Sequence, residues 1–207
     1  MHNLPLIVFI TDLADQAVVL PLVLAVLVLL MALGEARAAL WWCAAIAVAL
    51  GGVLIAKIVF IPCGHLLPVL DIRSPSGHTA SAAAAYGGLM VLAAQAIGSP
   101  ARRYAALGCG TLMVTAVALS RILLNAHTVQ ETLLGAAIGI TAPLLLMVPD
   151  QLFVGSAVAR RRRLLPLFLL LVPLLIVPPI LGQQLNSERW IGRLALELAG
   201  WLHMCTA

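Results

Sequence analysis

Charge is what this sequence has least of. Asp, Glu, Lys and Arg together make up 10% of its 207 residues and aromatics 5%, against 63% hydrophobic residues. The mean hydropathy is +1.10. A soluble domain of this length needs far more polar surface to cover its core, so that class is excluded. The strict alternation of apolar and polar residues that barrel strands require is also missing. At the amino terminus there is no basic segment before the first apolar run. Asp12 and Asp15 stand there instead, and Leu4 to Ile10 is short, so the segment does not read as a cleaved signal. The four cysteines, Cys43, Cys63, Cys109 and Cys205, lack metal-ligand spacing; three lie in or beside expected spans, where a cysteine is most often a small apolar residue, and none is assigned chemistry. No carboxylate cluster suited to Mg²⁺ occurs.

The hydrophobic content is arranged in long runs free of charge. They extend from Gln16 to Gly34, Ala38 to Ala56, Ser74 to Ala101, Tyr104 to Ser120, Thr132 to Pro149 and Leu164 to Ser187. About twenty apolar residues cross a bilayer core as a helix, and only helices and closed barrels satisfy their backbone there. The expected architecture is therefore all-α, a polytopic membrane helix bundle of about six transmembrane helices. It forms one domain over 1–207, with residues 1–16 as an interfacial segment and 188–207 as an amphipathic helix. In that last segment Arg189, Arg193 and Glu197 make one polar stripe, and Trp190 and Trp201 suit a membrane interface. The helix is expected on the outer surface, without a catalytic role.

The arginines orient the bundle. Arg37 follows the first expected span, Arg102 and Arg103 the third, and Arg160 to Arg163 the fifth, all on one side of a six-span chain. Basic short loops stay in the cytoplasm, so both termini lie outside. The Arg160–Arg163 block suits anionic headgroups, and without a soluble domain it gives no nucleic-acid reading. Lys57, His65, Arg73, His78, Arg121, His127 and Glu131 then share the opposite face. That topology follows from neutral runs and arginine positions alone, yet it gathers the reactive side chains together.

Two segments carry them. In "DIRSPSGHTAS", Pro75 and Gly77 mark a turn before an Ala-rich helix. A helix start with exposed amides, a hydroxyl and His78 makes an anion site; it also reads as a plain capped terminus with Ser76 as the cap. In "SRILLNAHTVQE", Arg121 closes one span and His127 opens the next across a short connection. Glu131, four residues after His127, lies on the same helix face and is able to fix one imidazole tautomer. Alone, such a pair is more often a structural contact. An ionisable cluster at a membrane span favours function.

Together the two segments resemble the type-2 phosphatidic acid phosphatase family, membrane lipid phosphatases related to vanadium haloperoxidases. The family's Pro-Ser-Gly-His motif stands unaltered as Pro75–His78. Its Ser-Arg, five residues, His, three residues, Asp motif reads Ser120, Arg121, His127, with Glu131 replacing the aspartate. The first motif, Lys, six residues, Arg-Pro, matches only at Lys57; Gly64 and His65 occupy the Arg-Pro positions. Arg73 and His65 are the candidate substitutes for the absent arginine. The resemblance covers roughly Lys57 to Gly139.

It implies phosphoryl transfer without metal or cofactor. His127 is the expected nucleophile, Glu131 its partner and His78 the acid to the leaving oxygen. Arg121, Lys57, Ser76 and Gly77, with Arg73 or His65, would hold the phosphate oxygens. The expected partners are the bilayer and an amphiphilic substrate. Polyprenyl phosphate or diphosphate, phosphatidate, phosphatidylglycerol phosphate and a lipid A phosphate all fit, with a lean towards the polyprenyl diphosphate. A phosphotransferase using the same intermediate and a non-catalytic lipid-phosphate binder or transport component are the alternatives. The expected location is a bacterial inner membrane, with the site on its periplasmic face. Oligomeric state is not legible.

Overall fold

The computed structural model describes residues 4–63, 72–97, 99–148, 152, 185, 187–202 and 205. All the regular structure among them is helical. The amino-terminal helices are α1 (Leu4–Asp12), α2 (Gln16–Ala32) and α3 (Ala36–Cys63). Helix α4 (Gly77–Ala82) runs through a π-helical turn, Ala83–Gly87, into α5 (Gly88–Ala96). Then come α6 (Pro100–Leu123), α7 (Val129–Gly139), α8 (Thr141–Met147) and α9 (Ser187–Leu202).

Three helical stretches among the described residues are long and apolar enough to cross a membrane: Ala36–Cys63, Pro100–Leu123 and Val129–Met147. The bent pair α1–α2, which turns by 42° at its break, makes a possible fourth. The all-α expectation holds, whereas six spans are not established. Between Ser74 and Ala101 the helix is interrupted by the π turn, so no single α segment there reaches spanning length. The stretch from Leu164 to Ser187 lies almost wholly outside the described residues, as do Arg160 to Arg163.

Local chemistry sets these boundaries. Asp15 caps α2, its Oδ1 accepting from the Ala17 amide at 2.8 Å. Gly34, at φ 78°, supplies the left-handed residue between α2 and α3. Pro143 has no amide to give the Gly139 carbonyl, and the helix breaks between α7 and α8 there.

The core is built from small residues around α4–α5. Thr79 to Tyr86 are buried without interruption, with Ala80, Ala82, Ala84 and Ala85 fully so. Leu22, Val26 and Leu30, a four-residue repeat on α2, pack with Trp42, Ala45 and Ala49 of α3. Trp42 Nε1 donates to the Val23 carbonyl at 3.0 Å, satisfying the one polar atom of a fully buried side chain. Outward-facing positions are apolar too, among them Leu24, Ile55, Leu112, Leu133 and Leu144. A bundle apolar both inside and out is made for lipid rather than water.

Gly135 and Gly139 decide how α7 meets α4. A side chain at Gly135 would strike the Ser76 carbonyl, and one at Gly139 the Ala80 carbonyl. The Gly-x-x-x-Gly spacing therefore brings two backbones together, as its sequence signals. The carboxyl end of α3, the start of α4, the end of α6 and the start of α7 thereby converge at one end of the bundle. Arg37 and Arg103 lie about 30 Å of helix away from Lys57 and Arg121, respectively.

The cysteine reading needs correction. Cys63, at the end of α3, and Cys205, beyond α9, form a disulfide with Cα atoms 5.3 Å apart. The pairing joins positions 142 residues apart in sequence, so spacing gives no hint of it. Cys43 and Cys109 are free and exposed.

Candidate active site

The polar end of the bundle is organised around Glu131. Thr128 caps α7, its Oγ1 accepting from the Glu131 amide at 3.2 Å, and Glu131 Oε2 accepts from the Thr128 amide at 3.2 Å. This capping box fixes the side chain at the first turn. The same Oε2 meets His127 Nδ1 at 2.8 Å. Oε1 turns the other way and accepts from the amides of Arg73 and Ser74, at 2.8 and 2.9 Å. The Glu131 carbonyl accepts from the Ser76 amide at 2.9 Å. One residue thus aims the histidine and pins the chain that leads into α4.

A bond from Nδ1 to a carboxylate selects the imidazole tautomer that is protonated there and leaves the Nε2 lone pair available. Burial draws the His127 imidazole below its ordinary value, against the hydrogen bond and charge of Glu131, which raise it; the Arg121 and Lys57 charges draw it down further. A histidine so placed is neutral at neutral pH, the state a nucleophile needs.

Ser76 is the cap of α4, its Oγ accepting from the Thr79 amide at 3.4 Å and lying 3.0 Å from the Thr79 hydroxyl. Hydroxyl and amide are thus both engaged within the protein. Gly77 and His78 begin the helix, and first-turn amides lack intrahelical acceptors. His78 Nε2 faces Asp15 Oδ2 at 3.7 Å, too far for a hydrogen bond. Lys57 is 2% exposed and reaches Ser74 Oγ at 3.1 Å and Glu188 Oε2 at 2.6 Å. Arg121 donates from Nη1 to Thr11 Oγ1 at 3.1 Å. Its Nε is buried and has no hydrogen-bond partner among the described residues.

His78 lies within electrostatic reach of Arg121 and His127, and His127 within reach of Arg121 and Lys57. Five of the expected residues, Lys57, His78, Arg121, His127 and Glu131, are thereby brought together, with Gly77 beside Lys57. Arg73 lines a cavity together with His127 and Glu131. Its side chain is exposed, and what it gives Glu131 is its backbone amide. His65 lies outside the described residues.

Two cavities open here. One of about 820 Å³ lies between α2, α3 and α9, with Lys57, Gly77, His78 and Glu188 at its polar end and Leu20, Leu50 and Leu54 along its walls. The other, about 450 Å³, is lined by Arg73, Asn125, His127 and Glu131. No group of His, Cys, Asp and Glu side chains suited to a metal ion occurs among the described residues.

Sequence reasoning missed three contributors. Thr11 and Asp15 come from the α1–α2 break, where the acidic residues had only argued against a signal peptide. Glu188 comes from α9, which had been given no catalytic role; its first turn instead enters the site. A lone carboxylate at the start of an amphipathic helix, off the stripe formed by Arg189, Arg193 and Glu197, was the available signal.

No family model, curated protein or solved structure matches this chain.

Proposed function

We propose that the protein is an integral membrane phosphatase that releases phosphate from a lipid phosphate or diphosphate through a phosphohistidine. The observation that carries this reading is the His127 Nδ1–Glu131 contact of 2.8 Å within a cluster that also holds Lys57, His78 and Arg121. Pro75–His78 and Ser120–Glu131, the two stretches that resemble the type-2 phosphatidic acid phosphatases, supply most of that cluster.

In the proposed reaction the Nε2 lone pair of His127 attacks phosphorus in line. The bond to the lipid oxygen breaks, and that oxygen takes a proton from His78. Burial and the Arg121 charge hold this imidazole down at about 4, so the negative charge of the entering phosphate has to raise it for the proton to be carried in. Glu131 stabilises the positive charge that develops on the His127 ring. A water molecule then attacks the phosphohistidine and gives a proton to His78, and the P–N bond breaks to release inorganic phosphate. Arg121 and Lys57 neutralise the equatorial oxygens, the main catalytic task in such transfers. The buried Arg121 Nε, which has no protein acceptor among the described residues, suits a phosphate oxygen, and a guanidinium offers it a two-pronged contact.

The substrate is amphiphilic in this reading because the polar end of the larger cavity continues into apolar walls. A prenyl or acyl chain lies there with its phosphate towards Lys57. The six-span topology, with the site and both termini on the outer face, belongs to the same proposal. A disulfide near that end fits an oxidising compartment. Phosphate release from purified protein in detergent, across phosphatidate, phosphatidylglycerol phosphate and polyprenyl diphosphate, tests the activity. At least one substrate is expected to turn over and His127→Ala to abolish release. Turnover surviving in His127→Ala would overturn the reading.

A further inference from the structure

Glu188 stands where the substrate phosphate is expected. Its Oε2 is 2.6 Å from Lys57 Nζ, and its Oε1 is 2.9 Å from the point where a Cβ on Gly77 would lie. Arg121, His78 and His127 are all within electrostatic reach of this carboxylate. Burial pushes the Glu188 carboxyl up, and the Lys57 ammonium, aided by His127 and His78, more than offsets it, so the group is held below its ordinary value and stays charged. Lys57 is almost fully enclosed, yet the Glu188 side chain is 41% exposed and able to rotate outwards. Helix α9 itself is tied down, since it packs along α3 and the disulfide links the chain just beyond α9 to the end of α3. The carboxylate is therefore able to leave the site while its helix stays beside the cavity.

We propose that Glu188 determines specificity: its carboxylate competes for the Lys57–Arg121 cation site, excluding phosphodiester head groups and yielding to terminal phosphates. The inference rests on the phosphatase reading above. A tethered competitor acts at an effective concentration in the millimolar range or higher. A phosphodiester brings a single negative charge, no more than the carboxylate it must displace. A terminal phosphate brings about −1.5 to −2 charges and three acceptor oxygens, enough to engage Lys57 and Arg121 together. Anionic phosphodiester lipids surround any site at a membrane surface, so a cation pocket without such a competitor is open to them. Glu188 removes that competition and leaves its own carboxylate to be displaced only by the more highly charged head group.

The test is inhibition of phosphate release from phosphatidate by phosphatidylglycerol in mixed micelles, in wild type, Glu188→Gln and Glu188→Ala. Arg189→Gln, an exposed neighbour, serves as control, and thermal unfolding in detergent reports folding. Phosphatidylglycerol is expected to inhibit both Glu188 variants at an about tenfold lower mole fraction than wild type, and to inhibit Arg189→Gln as it does wild type. A role confined to holding α9 in place would alter stability without this selective sensitivity. Wild-type inhibition in the variants, or loss of turnover in folded Glu188 variants, overturns the competitor role alone. A wild-type protein that releases phosphate from no lipid overturns the phosphatase reading, and the inference with it.

Discussion

At the scale of single residues, Glu131 uses each carboxylate oxygen for a different purpose. Oε2 holds His127, and Oε1 holds the amides of Arg73 and Ser74. An aspartate is one methylene shorter and would have to give up one side of that bridge. The longer acid is therefore built into how the 73–76 segment is anchored. Glu131→Gln retains the shape but removes the charge facing His127, and the expected loss in kcat/KM is about 10²-fold or more. The pH profile gives a second reading. Protonation of His127 removes the attacking lone pair, so activity falls on the acid side. Because burial lowers its pKa, that fall is expected below the ordinary histidine value of about 6.5. Glu131 raises the pKa, so Glu131→Gln is expected to move the acid limb to still lower pH. A limb that moves upwards would contradict the assigned contact.

At the scale of elements, the junction of α4 with α7 sets the distance between the site's two halves. Gly135 and Gly139 lie against backbone carbonyls, which have no rotamer to give. Gly135→Ala is expected to cost about 1–3 kcal/mol, by analogy with overpacked cores. Gly51→Ala on α3, where nothing lies within 4 Å of the added methyl, is expected to be neutral or slightly stabilising. Thermal unfolding of the two variants in the same detergent compares them directly. Much at this scale was legible in advance. Gly135 and Gly139 stand at the Gly-x-x-x-Gly spacing that signals a close helix crossing, and the spacing of His127 and Glu131 announced one helix face. The position of α9 was not legible, because an amphipathic stripe shows which face is polar without showing what it packs against. The Cys63–Cys205 pairing was hidden for a related reason, since only tertiary contact brings those two ends together.

At the scale of the whole molecule, charge separation along the helices is the main organising feature. Arg37 and the Arg102–Arg103 pair begin α3 and α6, and Lys57 and Arg121 lie near the ends of the same helices. The sequence revealed this arrangement because charge is so sparse that Arg37, Arg102, Arg103 and Arg121 each stand near a helix end. The number of spans was less legible. A neutral run gives the length of an apolar segment but says nothing of a π turn within it, as at Ala83–Gly87. The proposed orientation predicts opposite labelling of the two ends. In a Cys43→Ser, Cys109→Ser background, a cysteine at Arg189 is expected to react with an impermeant maleimide from outside intact cells. Cysteines at Arg37 and Arg102 are expected to react only after permeabilisation, and equal labelling at both ends would contradict the topology.

The central claim is that His127 forms a covalent bond to phosphorus, and rapid quenching with radiolabelled phosphatidate tests it directly. Alkaline denaturation soon after mixing is expected to leave acid-labile label on the wild-type protein, with the labelled peptide containing His127, and none on His127→Ala. Steady phosphate release with no label on the protein, or label that persists in His127→Ala, would contradict the account.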